Sequence, residues 1–170
     1  MQLSIDELIQ RARSAQKEIE YWPQDKVDLM VVAAGWETYK NAEKIARLAV
    51  DETGMGVYEH KVLKHQKKTL GTLRDMQGVK TVGVIEEDPQ KGLIKIAKPV
   101  GVIGALTPVT NCEATLPSKS LPALKCRNAI IFAPHPHAKQ TAALVVSTLR
   151  EGLRKAGAPL DLIQTIEEPS

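Results

Sequence analysis

Apolar positions recur at helical spacing through the first half of the chain and gather into short runs through the second. Leu8, Ile9, Ala12, Ala15 and Ile19 fall on one face of a helix. Ser4 followed by Glu7 forms a capping box, and Asp6 adds negative charge to the first turn, which places the helix start. Pro23 resets the chain at a favoured helix-start position. Val27, Met30, Val31, Ala34, Ala42, Ile45, Ala46 and Ala49 then predict one long helix over about 24–51, ended by Gly54 and Gly56. A third helix is predicted over about 58–76, carrying Lys61, Lys64, Lys67 and Lys68.

Beyond Gly78 the period changes. The runs 79–85 and 93–97 are short and rich in β-branched residues, and the joint EEDPQKG has the chemistry of a hairpin loop. The run 100–106 is continuously apolar, with Gly101 and Gly104 inside it, which suits a parallel strand buried on both faces. A helix over 114–124 and a buried strand over 129–132 follow. Residues 139–156 form an amphipathic helix with Ala142, Ala143, Val145, Val146, Leu149 and Leu153 on one side. Gly157 and Pro159 stop it, and 162–166 is a third short strand. The order β-α-β-α-β calls for an open parallel sheet with right-handed crossovers, so the expected class is α/β with leading helices and a hairpin.

Composition narrows the picture. With 170 residues, 43% hydrophobic and 25% charged, the chain is neither disordered nor a disulfide-stapled miniprotein. A net charge of +3 without an arginine-rich, aromatic-interleaved stripe does not point to nucleic acid. The two cysteines lack framework spacing, the first ten residues are not signal-like, and the longest uncharged run is 14 residues, short of a membrane span. A cytoplasmic protein with no membrane partner is expected.

Ligands of parallel sheets bind where loops leave the carboxyl ends of strands. Two loops qualify here, Thr107-Pro-Val-Thr-Asn111 and Ala133-Pro-His-Pro-His137, and both open helices whose N-termini can accept an anion. Neither a G-x-G-x-x-G after a strand nor a P-loop occurs. Cys112 sits where a helix N-terminus can lower a thiol pKa, yet a packing role is the expected one; Cys126, before a buried strand, is expected to be inert core. His135-x-His137 has the look of half a metal site, but the sequence places no third ligand and the prolines on both sides of His135 suggest a rigid binding turn, so no metal is expected. The four lysines read as a solvated helix face, and His60 and His65 as surface or packing residues.

The stretch AKPVGVIGALTPVTNCEATLPSKSLPALKCRNAIIFAPHPHAK resembles the start of the cofactor-binding domain of the aldehyde dehydrogenase superfamily. It is most similar to the CoA-acylating branch, which includes sulfoacetaldehyde dehydrogenases and the aldehyde half of bifunctional aldehyde–alcohol dehydrogenases. The proline-threonine-asparagine loop, the K-x-R-N-A-I-I-F strand and the P-H-P turn carry the likeness, and DETGMGVYEHKVLKH and GAPLDLIQTIEEPS extend it over the whole chain. The resemblance implies a helical segment at 1–78, the hairpin of an oligomerisation arm at 79–98 and the first half of a Rossmann-like cofactor domain at 99–170. It implies NAD or NADP as cofactor, coenzyme A as co-substrate, a small aldehyde as substrate and a homo-oligomeric parent. The implied reaction passes through a cysteine thioester. The nucleophile would lie beyond residue 170, so the chain reads as an N-terminal fragment, inactive alone. A truncated module limited to self-association or partial nucleotide binding is the alternative. By the same resemblance Asn111 holds the substrate oxyanion. Thr107, Pro108, Val109 and Thr110 lie along the nicotinamide side, and Pro134, His135 and Pro136 near the adenosine end. The Lys and Glu that contact ribose and phosphates in the non-acylating branch are replaced here by Ala133 and Pro136.

Overall fold

A computed structural model describes residues 3–169. Helix α1 (Ile5–Ile19) starts at the expected capping box: the Glu7 N–H donates to Ser4 Oγ at 3.2 Å, and the Ser4 N–H donates to Glu7 Oε2 at 2.7 Å. The single helix expected over 24–51 is two, α2 (Gln24–Lys40) and α3 (Ala42–Thr53). Asn41 breaks it at φ −94° and ψ 12°, where its side-chain amide donates to the Glu37 carbonyl at 2.8 Å and competes with the helical ladder. The apolar period runs across the break unaltered, so periodicity alone does not reveal it. Helix α4 (Tyr58–Met76) follows Gly54 and Gly56, both at positive φ.

The hairpin β1 (Gly83–Asp88) and β2 (Leu93–Ala97) is antiparallel, with an irregularity between Val84 and Glu86. Its first strand starts four residues later than expected and takes in the acids Glu86, Glu87 and Asp88. The reason is tertiary. The Thr81 and Val82 N–H groups donate to Gln24 Oε1 at 2.8 and 3.2 Å, so this stretch is tied to α2 and not to a strand.

Strands β3 (Val102–Thr107), β4 (Ala129–Pro134) and β5 (Ile163–Thr165) form a parallel sheet in that spatial order, joined by α5 (Cys112–Lys125) and α6 (Lys139–Lys155). Only the central β4 is buried almost throughout. The expectation that β3 is covered on both faces does not hold: it is an edge strand, and Leu106 is 88% exposed. Helices α5 and α6 pack against each other on one face of the sheet, the arrangement that crossovers of one hand give. Helix α1 covers the other, held by hydrogen bonds from Gln164 Nε2 to the Leu8 carbonyl (2.8 Å) and from Gln16 Nε2 to the Arg127 carbonyl (3.2 Å). Helices α2, α3 and α4 form an outer layer on α5 and α6, and one core runs from Leu8 and Ile19 through Met30, Ile45 and Leu116 to Phe132 and Leu153. At the crossing of α2 and α6, a Cβ on Gly152 would lie 2.4 Å from Ala34 Cα, so only glycine permits that approach.

Candidate functional site

Parallel pairing sets Thr107 directly beside Pro134, so the two expected loops leave neighbouring strand ends side by side. They also touch across one small apolar cluster, in which Val109 packs against Cys112, Ala138 and Ala49 of α3. Thr107 and Pro134 are buried, Val109 and Asn111 half-buried, and Pro108, Thr110, His135 and Pro136 exposed. The structure thus brings all eight expected residues to one end of the sheet.

Asn111 is the N-cap of α5 by position but not by bonding. Asparagine is among the strongest capping residues. Yet its backbone sits at φ −131° and ψ 36°, its side chain makes no capping hydrogen bond, and the buried Oδ1 has no partner. Its carbonyl is engaged, accepting from the Thr115 N–H at 3.1 Å and Oγ1 at 2.8 Å. The buried Thr107 Oγ1 also lacks a partner. Two orphaned polar atoms at the carboxyl ends of parallel strands fit a polar ligand held there.

The second helix start does not fit an anion. The N-terminus of α6 is already filled by Glu52 of α3, whose carboxylate accepts from the Gln140 N–H at 2.8 Å, the Thr141 N–H at 2.7 Å and Thr141 Oγ1 at 2.6 Å. In the turn before it, His135 Nδ1 accepts the His137 N–H at 3.1 Å, which fixes the ring. Among the described residues no group of three or more metal-capable side chains occurs.

Neither cysteine has the surroundings of a nucleophile. Cys112 is buried, and burial first, then the neighbouring Glu113 charge, pushes its thiol up to about 11. The helix N-terminus does not overcome those two effects. Cys126 is half-buried and not core as expected, because it caps α5 beside the edge strand β3; burial raises its thiol pKa as well.

The lysine-bearing face of α4 is not uniformly solvated. Lys61 is buried and donates to Glu113 Oε2 at 3.1 Å, while the Lys64 ammonium lies 2.7 Å from Oε1 in an ionic contact outside hydrogen-bond geometry. Burial works against the Glu113 charge, but the two ammonium groups and a backbone hydrogen bond hold its pKa below the usual carboxylate range. His65 packs beneath them, fully buried, with Nε2 3.2 Å from the Thr38 carbonyl; burial lowers its pKa. This cluster spans more than fifty residues of sequence, and no local spacing signals it.

The K-x-R-N motif has a structural reading. Arg127 sits at φ 58° in the turn after α5, and its guanidinium donates to the Ala97 carbonyl at 3.3 Å. Asn128 Oδ1 accepts from the Val100 and Gly101 N–H groups at 2.7 and 3.0 Å. Together they guide the chain from the hairpin into β3.

The aldehyde dehydrogenase family model matches residues 2–170. The chain belongs to the aldehyde dehydrogenase family. It is 54% identical over 164 residues to a sulfoacetaldehyde dehydrogenase of an Acholeplasma species, covering 95% of this chain and 34% of that protein. It is 46% identical over 169 residues to an acetylating succinate-semialdehyde dehydrogenase of Clostridium kluyveri, covering 99% of this chain and 37% of that protein. The crystal structure of an acetylating aldehyde dehydrogenase from Geobacillus thermoglucosidasius superposes with a TM-score of 0.94 at 36% identity, over 96% of this chain and 36% of that one. Two of these three relatives, those of Clostridium kluyveri and Geobacillus thermoglucosidasius, are acetylating enzymes, and the chain spans about a third of the length of the curated relatives it matches.

Proposed function

We propose that this chain is the N-terminal third of an NAD(P)-dependent, CoA-acylating aldehyde dehydrogenase acting in the cytoplasm. No helix among the described residues is long and apolar enough to cross a membrane. The observation that carries the reading is the Asn111 side chain: placed to cap α5, it makes no capping bond, and its buried Oδ1 has no partner among the described residues, so capping does not hold the amide. In this reading its amide N–H groups hold the aldehyde oxygen as negative charge develops on it. Thr107, Pro108, Val109 and Thr110 flank the nicotinamide, with Pro134, His135 and Pro136 toward the adenosine. NAD(P) supplies the hydride acceptor. The dinucleotide phosphates find no place at the α6 start, where Glu52 already sits, and are held by other segments. The nucleophilic thiol also comes from elsewhere in the enzyme, since Cys112 is buried with a pKa near 11. Coenzyme A accepts the acyl group from that thiol, an exchange between two thioesters. The hairpin 83–97, with Leu93, Ile94 and Ile96 all exposed, serves the oligomer.

The deciding measurement is NAD(P) reduction with aldehyde and CoA by the whole enzyme and by its Asn111→Ala variant. We expect kcat to fall by roughly 100-fold or more, as for other oxyanion donors. An unchanged kcat would remove Asn111 from this role. The 170 residues alone are expected to show no turnover, and turnover by them would overturn the proposal that the nucleophile lies elsewhere.

A further inference from the structure

Glu113 lies in the first turn of α5, two residues past Asn111, and is fully buried. Lys61 and Lys64, one turn apart on α4, both reach its carboxylate. Lys61 is itself only 3% exposed. Its stem runs over Gly56, where a Cβ would come within 3.0 Å of Lys61 Cε and φ is +84°, so the chain makes room for it with glycine. Sequestering a carboxylate and an ammonium from water is costly, and well-packed apolar side chains often give equal stability. Stability alone is therefore a weak reason for this arrangement.

Its location supplies a better one. Asn111 does not fix its own conformation by capping, since its side chain makes no capping bond and its Oδ1 has no partner among the described residues. Its neighbours are fixed on both sides: Val109 and Cys112 in the cluster with Ala49 and Ala138, and Glu113 by the two ammonium groups. We propose that the Lys61–Glu113–Lys64 contact is a clamp that sets the start of α5 and so positions the Asn111 amide, making Glu113 a positioning residue for the oxyanion donor. The proposal rests on the role given to Asn111 above.

The test is Glu113→Gln in the whole enzyme, which keeps the volume and removes the charge. We expect kcat to fall about 10-fold to 100-fold, the scale of a displaced catalytic group, with KM for aldehyde within about twofold. Amide exchange should quicken over residues 107–113 and stay unchanged in β4. If the single variant folds poorly, the paired apolar variant Lys61→Met with Glu113→Leu should regain the wild-type Tm but not the wild-type kcat. Recovery of both, or an unchanged kcat in Glu113→Gln, would reduce the clamp to a structural contact. Should the wild-type enzyme show no aldehyde turnover, the role of Asn111 fails and exchange alone decides: quickening confined to 107–113 supports the clamp, and no change there overturns it.

Discussion

Cys112 illustrates how environment overrides position. A thiol at a helix N-terminus ordinarily loses its proton more readily. Here it is enclosed with Ala49, Ala138 and Val109 and stands beside an ionised carboxylate, and both effects favour the protonated form. Cys126 also has a raised pKa but is half-exposed. Alkylation at pH 8 should therefore label Cys126 first, with Cys112 modified only as the chain unfolds; peptide mass mapping over time would check the order. Rapid labelling of Cys112 in the folded chain would contradict the burial described. At this scale the sequence was informative about which loops leave the strand ends, because strand ends and proline-rich turns are local features. It misplaced Lys61 and Lys64 on a solvated face and did not single out Glu113, because a buried ion pair between residues 52 apart leaves no periodic trace.

Helices were easier to read than strands, and the exceptions have specific causes. The α1 start was legible because a capping box is a four-residue signal. The division of α2 from α3 was not, since one side-chain hydrogen bond at Asn41 makes it while the apolar register continues. The β1 boundary shifted because Gln24, 57 and 58 residues away, captures two N–H groups that alternation alone would assign to a ladder. The contact of α2 with α6 is the most exacting in the fold. Gly152→Ala would drive a methyl group against the Ala33 carbonyl and the Ala34 backbone, which cannot retreat as a flexible side chain can. We expect a loss of about 3 kcal/mol and a Tm lower by about 6–12 °C. Gly71→Ala, in α4 with open space around the added carbon, is the control and should be neutral or slightly stabilising. Equal Tm values for the two variants would refute the close approach.

At the scale of the molecule, the described residues form a sheet whose central strand is complete and whose β3 edge is bare. Continuous hydrophobicity in 100–106 suggested burial, but the described residues do not supply the cover, and Leu106 stands 88% exposed beside a row of unpaired backbone groups. On its own, the chain should associate through this edge. Leu106→Lys should then lower its apparent mass at high concentration in size-exclusion chromatography with light scattering. No change would direct attention to the hairpin, whose Ile94 is also exposed.

Glu52 has a consequence for how any anion could reach the start of α6. The carboxylate belongs to the same chain and is held at its binding position by α3, so its effective concentration there is high and cannot be diluted away. A phosphate arriving from solution would meet an exchange equilibrium, in which it must eject a tethered competitor carrying the same sign of charge. Free N–H groups would be available only in the fraction of molecules where α3 and α6 have parted, and affinity at this point would be reduced by that fraction. The joint between the two helices is in this sense self-inhibited toward anions.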